Sequence, residues 1–197
     1  TGATITTEQR DQLLDFARRH DLWIITDEVY DRIIYGSEHV SFLGTGYEKL
    51  LLVNSFSKTF AMTGWRIGYI LSTNLDAMQQ LVKLQYYVTA CSNDAMQHAV
   101  LAAFEDAYDY PAEMTQEFLA RRDLICERLN SMPGVSCHVP EGAFYVFPKV
   151  EVPGMNSEDI AIELLKGGVL CSPGSAFGES GEGHLRFAYT IGRDDIS

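Results

Sequence analysis

A chain of 197 residues, 46% hydrophobic and 11% aromatic, has the composition of a globular protein, with apolar material for one sizeable core or two small ones. A formal charge of −12 sets long-range repulsion against nucleic acid and against an acidic membrane surface. No apolar run approaches the ~20 residues needed to cross a bilayer and no signal-peptide pattern is visible, so the expectation is a soluble, cytoplasmic protein.

Thr6 to Gln9 has the capping-box form, and Leu13, Leu14 and Ala17 follow on a helical period, which predicts a helix ending near His20. Leu22 to Thr26 reads as a short strand apolar on both faces, as expected where helices cover a parallel sheet. Leu50 to Val53 and Ile67 to Ser72 read as two more strands of an α/β sheet layer. Helices are predicted at Leu75–Val88 and Ala95–Ala107, and a long amphipathic one at Ala112–Asn130, ended by Met132-Pro133-Gly134. Short strands at Val135–His138 and Ala143–Phe147 precede a helix from a Ser157 cap to Lys166. Further strands are expected at Val169–Cys171 and Leu185–Ala188, making the second half a smaller α+β unit. The chain starts at Thr1 without methionine, and a new helix is beginning where it stops at Ser197, so both ends read as cut.

The cysteines (Cys91, Cys126, Cys137, Cys171) and the five histidines are scattered, with no C-x-x-C and no H-E-x-x-H. That spacing argues against a metal site and for buried, reduced thiols.

Three clusters carry chemistry, each at or just beyond the end of a predicted strand, where open α/β sheets gather ligands. They are Asp27-Glu28-Val29-Tyr30, then Asn54 to Thr59 continuing to Gly64-Trp65-Arg66, and His184 to Phe187. A lysine between hydroxyls, Lys58, is able to form a Schiff base if desolvation and a nearby cation free its amine of a proton. Arg66 offers a fixed cation with a planar fork suited to phosphate, and Ser55 and Ser57 offer hydroxyls on the same loop. Asp27 is suited to hold a proton on a heterocyclic nitrogen, and Tyr30 to donate to a phenolate oxygen. A lysine, a carboxylate and phosphate anchors together match the needs of a pyridoxal-phosphate site.

T-D-E-V-Y at Thr26–Tyr30 and N-S-F-S-K-T-F-A-M-T-G-W-R-I-G-Y at Asn54–Tyr69 closely resemble the class I aminotransferases, pyridoxal-phosphate enzymes of fold type I. P-E-G-A-F-Y at Pro140–Tyr145 and S-P-G-S-A-F-G at Ser172–Gly178, leading to Leu185-Arg186-Phe187, extend the resemblance over essentially the whole chain. It implies part of a large, mainly parallel cofactor-binding domain at residues 1–110 and a small α+β domain at 111–197. It also implies that Lys58 forms the internal aldimine with pyridoxal 5′-phosphate and later shuttles a proton. Asp27 then pairs with the pyridinium nitrogen and Tyr30 with the ring O3′, while Ser55 and Arg66, with help from Ser57, hold the phosphate. Arg186 clamps the substrate α-carboxylate. The implied reaction moves an amino group between an amino acid and a 2-oxo acid, in a homodimer. Family members are roughly twice this length by the usual domain arithmetic, so the phosphate-loop glycine and the ring-stacking aromatic residue are expected upstream of Thr1. Thr1-Gly2 itself resembles the tail of the family's N-P-T-G turn.

Each residue also has a plainer reading. Lys58 alone reads as a solvated surface lysine, Asp27 as a helix N-cap, Arg66 as an ion-pair residue, Ser55 as a turn former and Arg186 as half of a structural ion pair. Tyr145, Tyr69 and Trp65 read as packing residues, Gly174 and Gly178 as turn formers, and Glu28 as a solvated or structural carboxylate. A β-lyase on the same lysine, or a non-catalytic module that binds without turnover, are the competing functions.

Overall fold

The computed structural model describes residues 2–196; Thr1 and Ser197, the outermost residues of the two ends read as cut, lie outside the described residues. The chain divides into two compact units, Thr4–Glu113 and a second that runs from Met114 onward and takes in Gly2 and Ala3.

In the first unit, the Thr6 hydroxyl accepts the Gln9 N–H at 3.2 Å and the Gln9 side-chain oxygen accepts the Thr6 N–H at 2.8 Å. Two of the donors a helix start leaves without partners are thereby satisfied, and α1 runs from there over Thr7–Arg19. It buries Leu14 against Phe42 and Leu50. Strand β1 (Ile24–Asp27) lies parallel to β2 (Leu50–Ser55), with Asp27 opposite Val53. Strand β3 (Gly68–Leu71) returns antiparallel to β2. Between β2 and β3 stand only the one-turn helix α2 (Phe56–Thr59) and a 3-10 turn at Thr63–Trp65, which reverse the chain without the long crossover a parallel return requires. Gly68 permits the close pairing, because a Cβ there would lie 2.7 Å from the Asn54 carbonyl oxygen.

Strand β1 begins at Ile24 rather than Leu22, and only one of its faces is covered: Ile25 is 69% exposed. The apolar character on both sides therefore does not translate into burial on both sides among the described residues. Helices α3 (Leu75–Thr89) and α4 (Asp94–Asp106) start at Asn74 and Asn93, whose side chains accept the N–H of Ala77 and Met96. α4 buries Val100 against Met62 and Ile67, whereas α3 has no buried residue.

The long helix α5 (Tyr110–Asn130) leads into the second unit. There β4 (Val135–Ser136) pairs with β6 (Lys149–Val150), and β8 (Leu185–Ala188) runs antiparallel between β5 (Tyr145–Val146) and β7 (Ser172–Pro173). Helix α6 (Ser157–Lys166) packs Ile160 and Ala161 on Leu185, and the short α7 (Arg193–Ile196) follows β8. Tyr189 is fully buried, its hydroxyl donating to the Ala143 carbonyl at 3.0 Å.

Three local expectations change. The cap of α6 is Asn156, whose side chain accepts the Asp159 N–H; Ser157 is instead fully buried, its amide and hydroxyl both donating to Glu182. The strand expected at Val169–Cys171 lies at Ser172–Pro173, because the Val169 N–H closes the end of α6 on the Leu164 carbonyl and Leu170 is 80% exposed. Cys126 and Cys137 are buried as expected, but Cys91 is exposed.

Gly174 does more than turn the chain. A Cβ on it would stand 1.9 Å from the Gly181 carbonyl oxygen, and one on Gly181 would stand 2.1 Å from that of Gly174, so the two backbones touch. Gly178 does supply turn geometry, at φ +109°. Gly174→Ala is expected to cost about 3 kcal/mol of unfolding free energy, as overpacking against rigid backbone. Urea denaturation checks it, and a midpoint equal to the wild type's would contradict the reading.

Candidate active site

The parallel pairing of β1 and β2 brings Asp27 and Ser55 to the same end of the sheet, since Asp27 stands opposite Val53, two residues before Ser55. Asp27 is exposed. Its side chain accepts the Val29 N–H at 3.2 Å, a local turn and not a helix cap, which leaves most of the carboxylate's accepting capacity to a ligand. Tyr30 follows one turn later, and the Nζ of Lys58 lies 5.9 Å from the centroid of its ring. Lys58 is half-buried on α2, so the picture of a lysine alone in bulk solvent does not hold.

Ser55 is the N-cap residue of α2 but makes no side-chain cap bond; its own N–H donates to the Asn54 side-chain oxygen at 2.7 Å. Ser57 is buried, and its carbonyl accepts the Thr63 hydroxyl. Arg66 sits at φ 55°, a left-handed conformation uncommon for a residue with a Cβ, and its guanidinium donates to the Thr63 carbonyl at 2.7 Å. Ala61 shares that conformation, at φ 53°, so the loop after Lys58 carries two strained positions, each costing of order 1–3 kcal/mol. Ser55, Ser57 and Arg66 line one open cleft of about 780 Å³. The lining thus includes two hydroxyls and a guanidinium, groups that donate hydrogen bonds to anions.

Arg186 lies in the second unit, half-buried on β8. Among the described residues it has no ion-pair partner; its guanidinium carbon sits over the rings of Tyr145 and Phe177 instead. Trp65 is 46% exposed rather than packed, whereas the Tyr69 ring leans on Phe56 at 5.4 Å.

Of its two plain readings, solvated or structural, Glu28 takes the structural one. It is buried, and its two oxygens accept four hydrogen bonds: Oε2 from His39 at 2.7 Å and Ser41 at 2.6 Å, Oε1 from the Phe42 N–H at 3.0 Å and Thr26 at 3.3 Å. All accepting sites of the carboxylate are filled. The Glu28 N–H extends the sheet ladder to Val53 and its carbonyl accepts the Asp31 N–H, so this one residue ties the irregular 39–42 segment to the stretch carrying Asp27 and Tyr30. Burial pushes its pKa up, but the hydrogen bonds from His39, Ser41 and Phe42 together outweigh burial and hold it below the ordinary carboxyl value. A carboxyl lowered in this way contributes stability above the ordinary range that is lost as pH falls through the folded value. Glu28→Ala is expected to lose about 3 kcal/mol at neutral pH, with the gap to wild type narrowing in acid. Denaturant titrations at several pH values check this, and a gap that widens in acid would contradict it.

Comparisons with known proteins bear on this geometry. The family described as Aminotransferase class I and II matches residues 1–196. A probable aspartate aminotransferase of Methanocaldococcus jannaschii is 39% identical over all of this chain and 52% of its own length. Aromatic-amino-acid aminotransferase 2 of Thermococcus litoralis is 37% identical, over all of this chain and 51% of its own. The solved structure of an aromatic aminotransferase from Pyrococcus horikoshii superposes with a TM-score of 0.93 at 38% identity, covering 100% of this chain and 54% of that one. The chain thus spans about half the length of the curated relatives it matches, and it has the α/β fold of these aminotransferases.

Proposed function

Because this chain belongs to the family of class I and II aminotransferases, we propose that it forms part of a pyridoxal-phosphate enzyme, transferring an amino group between an amino acid and a 2-oxo acid. The observation that carries this reading is the gathering of Asp27, Lys58 and the Ser55–Ser57–Arg66 cleft around one end of the β1–β2 pair. The donor chemistry there fits the cofactor: an anion cradle, a carboxylate, and an amine beside a phenol. Residues 1–110 belong, in this reading, to the cofactor-binding domain and 111–197 to the small domain of a homodimeric enzyme.

The cofactor, when bound, supplies an aldehyde carbon for attachment and a protonated ring that withdraws electrons from the substrate Cα. Ser55 and Arg66, with Ser57, would hold its phosphate. Asp27 would keep the proton on the ring nitrogen, and Tyr30 would donate a hydrogen bond to the ring O3′. Lys58 would supply the amine that anchors the cofactor and the base that moves the proton at the substrate Cα. Arg186 grips the α-carboxylate by two parallel hydrogen bonds and so orients the Cα–H bond for cleavage.

Product analysis tests the reaction. An amino acid added to the cofactor-loaded protein is expected to yield its 2-oxo acid and pyridoxamine phosphate in equal amounts. Ammonia and pyruvate from a β-substituted amino acid would instead indicate a β-lyase on the same lysine, and bound cofactor with no product would indicate a binding module.

A further inference from the structure

Arg186 occupies the central strand of its sheet, with Ser172 opposite it on β7. On the other flank, Tyr145 pairs with Ala188, two residues along from Arg186, a diagonal placement within reach of a long side chain. The Arg186 guanidinium carbon lies 4.6 Å from the centroid of the Tyr145 ring and 4.5 Å from that of Phe177. Both distances are well inside the ~6 Å range of a cation–π contact. The two rings are themselves braced: Tyr145 leans on Phe144 at 4.9 Å, and Phe177 meets Phe147 edge-on at 5.9 Å. Phe147 in turn stacks on His184.

A guanidinium held over ring faces is attracted through its charge and its flat surface, which leaves its N–H edge available for hydrogen bonding. We infer that Tyr145 and Phe177 are positioning residues, whose ring faces hold the Arg186 guanidinium so that its donor fork stands ready for a carboxylate. The inference rests on the reading of Arg186 as the carboxylate clamp and adds what keeps the clamp in place. Orientation fixed before binding reduces the side-chain entropy lost when the carboxylate arrives. It also makes the planar cation essential, since a lysine at this position lacks the fork.

The test uses pyruvate, the simplest 2-oxo acid, titrated into the 197-residue chain with the Arg186 Nε–H resonance followed by NMR. Arg186→Lys is expected to abolish measurable binding. Phe177→Leu, which keeps apolar bulk at a site 50% exposed and so leaves the fold intact, is expected to weaken binding about tenfold. It is also expected to increase the motion of the Arg186 Nε–H bond in the ligand-free protein. Phe177→Tyr and Tyr145→Phe, which retain the ring, are expected to bind as wild type, a rescue that a merely structural role would not produce. If Arg186→Lys weakens binding but Phe177→Leu neither weakens it nor loosens the Nε–H bond, the positioning role is overturned and the clamp stands. If pyruvate does not bind wild type, or binds Arg186→Lys equally well, the clamp itself fails.

Discussion

Lys58→Ala is expected to lower transamination by the holoenzyme on the order of 10⁴-fold or more. A positioned general base contributes about 10²–10⁴, and this variant also loses the nucleophile that holds the cofactor. Lys58→Arg separates the two effects of the side chain. It keeps a cation near the Tyr30 ring, where the wild-type Nζ lies at 5.9 Å, but an arginine neither attacks an aldehyde nor accepts a proton near neutral pH. An equal loss in both variants is expected in steady-state assays. Activity in Lys58→Arg within tenfold of wild type would mean that the residue acts through charge alone.

The second large effect is expected at Asp27. A hydrogen bond to a charged group contributes roughly 1.5–3 kcal/mol, and each 1.36 kcal/mol is tenfold in rate. Asp27→Ala should therefore lower kcat by about 10²-fold. Its stability should change little, within about 0.5 kcal/mol, because Asp27 is exposed and, among the described residues, its carboxylate accepts only the Val29 N–H two residues on. Activity lowered to that extent with unchanged unfolding is the signature of a group that acts on a ligand. A parallel loss of stability would assign Asp27 to the local turn.

What the sequence made legible was local. The Thr6–Gln9 box and the helices on either side of Asn93 depend on neighbours within four residues, and the structure has them where the sequence puts them. The lysine string was legible for another reason, its length and specificity. What escaped depends on contacts far along the chain. Glu28 owes its burial to His39, Ser41 and Phe42, eleven to fourteen residues on, and nothing in D-E-V-Y distinguishes a clamped glutamate from a solvated one. Ser157 looked like the cap because serine favours that position, but Glu182, 25 residues away, claims it. The aromatic bracket of Arg186 joins three segments, 145, 177 and 186, that no period connects. The open face of β1 was equally hidden: alternation tells which side chains share a face, not whether anything covers it.

Of the chain's five lysines (Lys49, Lys58, Lys83, Lys149 and Lys166), Lys58 is the proposed point of cofactor attachment. The most direct measurement adds pyridoxal phosphate, fixes the bond with borohydride, and maps the added mass by peptide mass spectrometry. Stoichiometric label on Lys58 is expected, and its disappearance in Lys58→Ala. Label spread evenly over the five lysines, or concentrated on any of the other four, would contradict it.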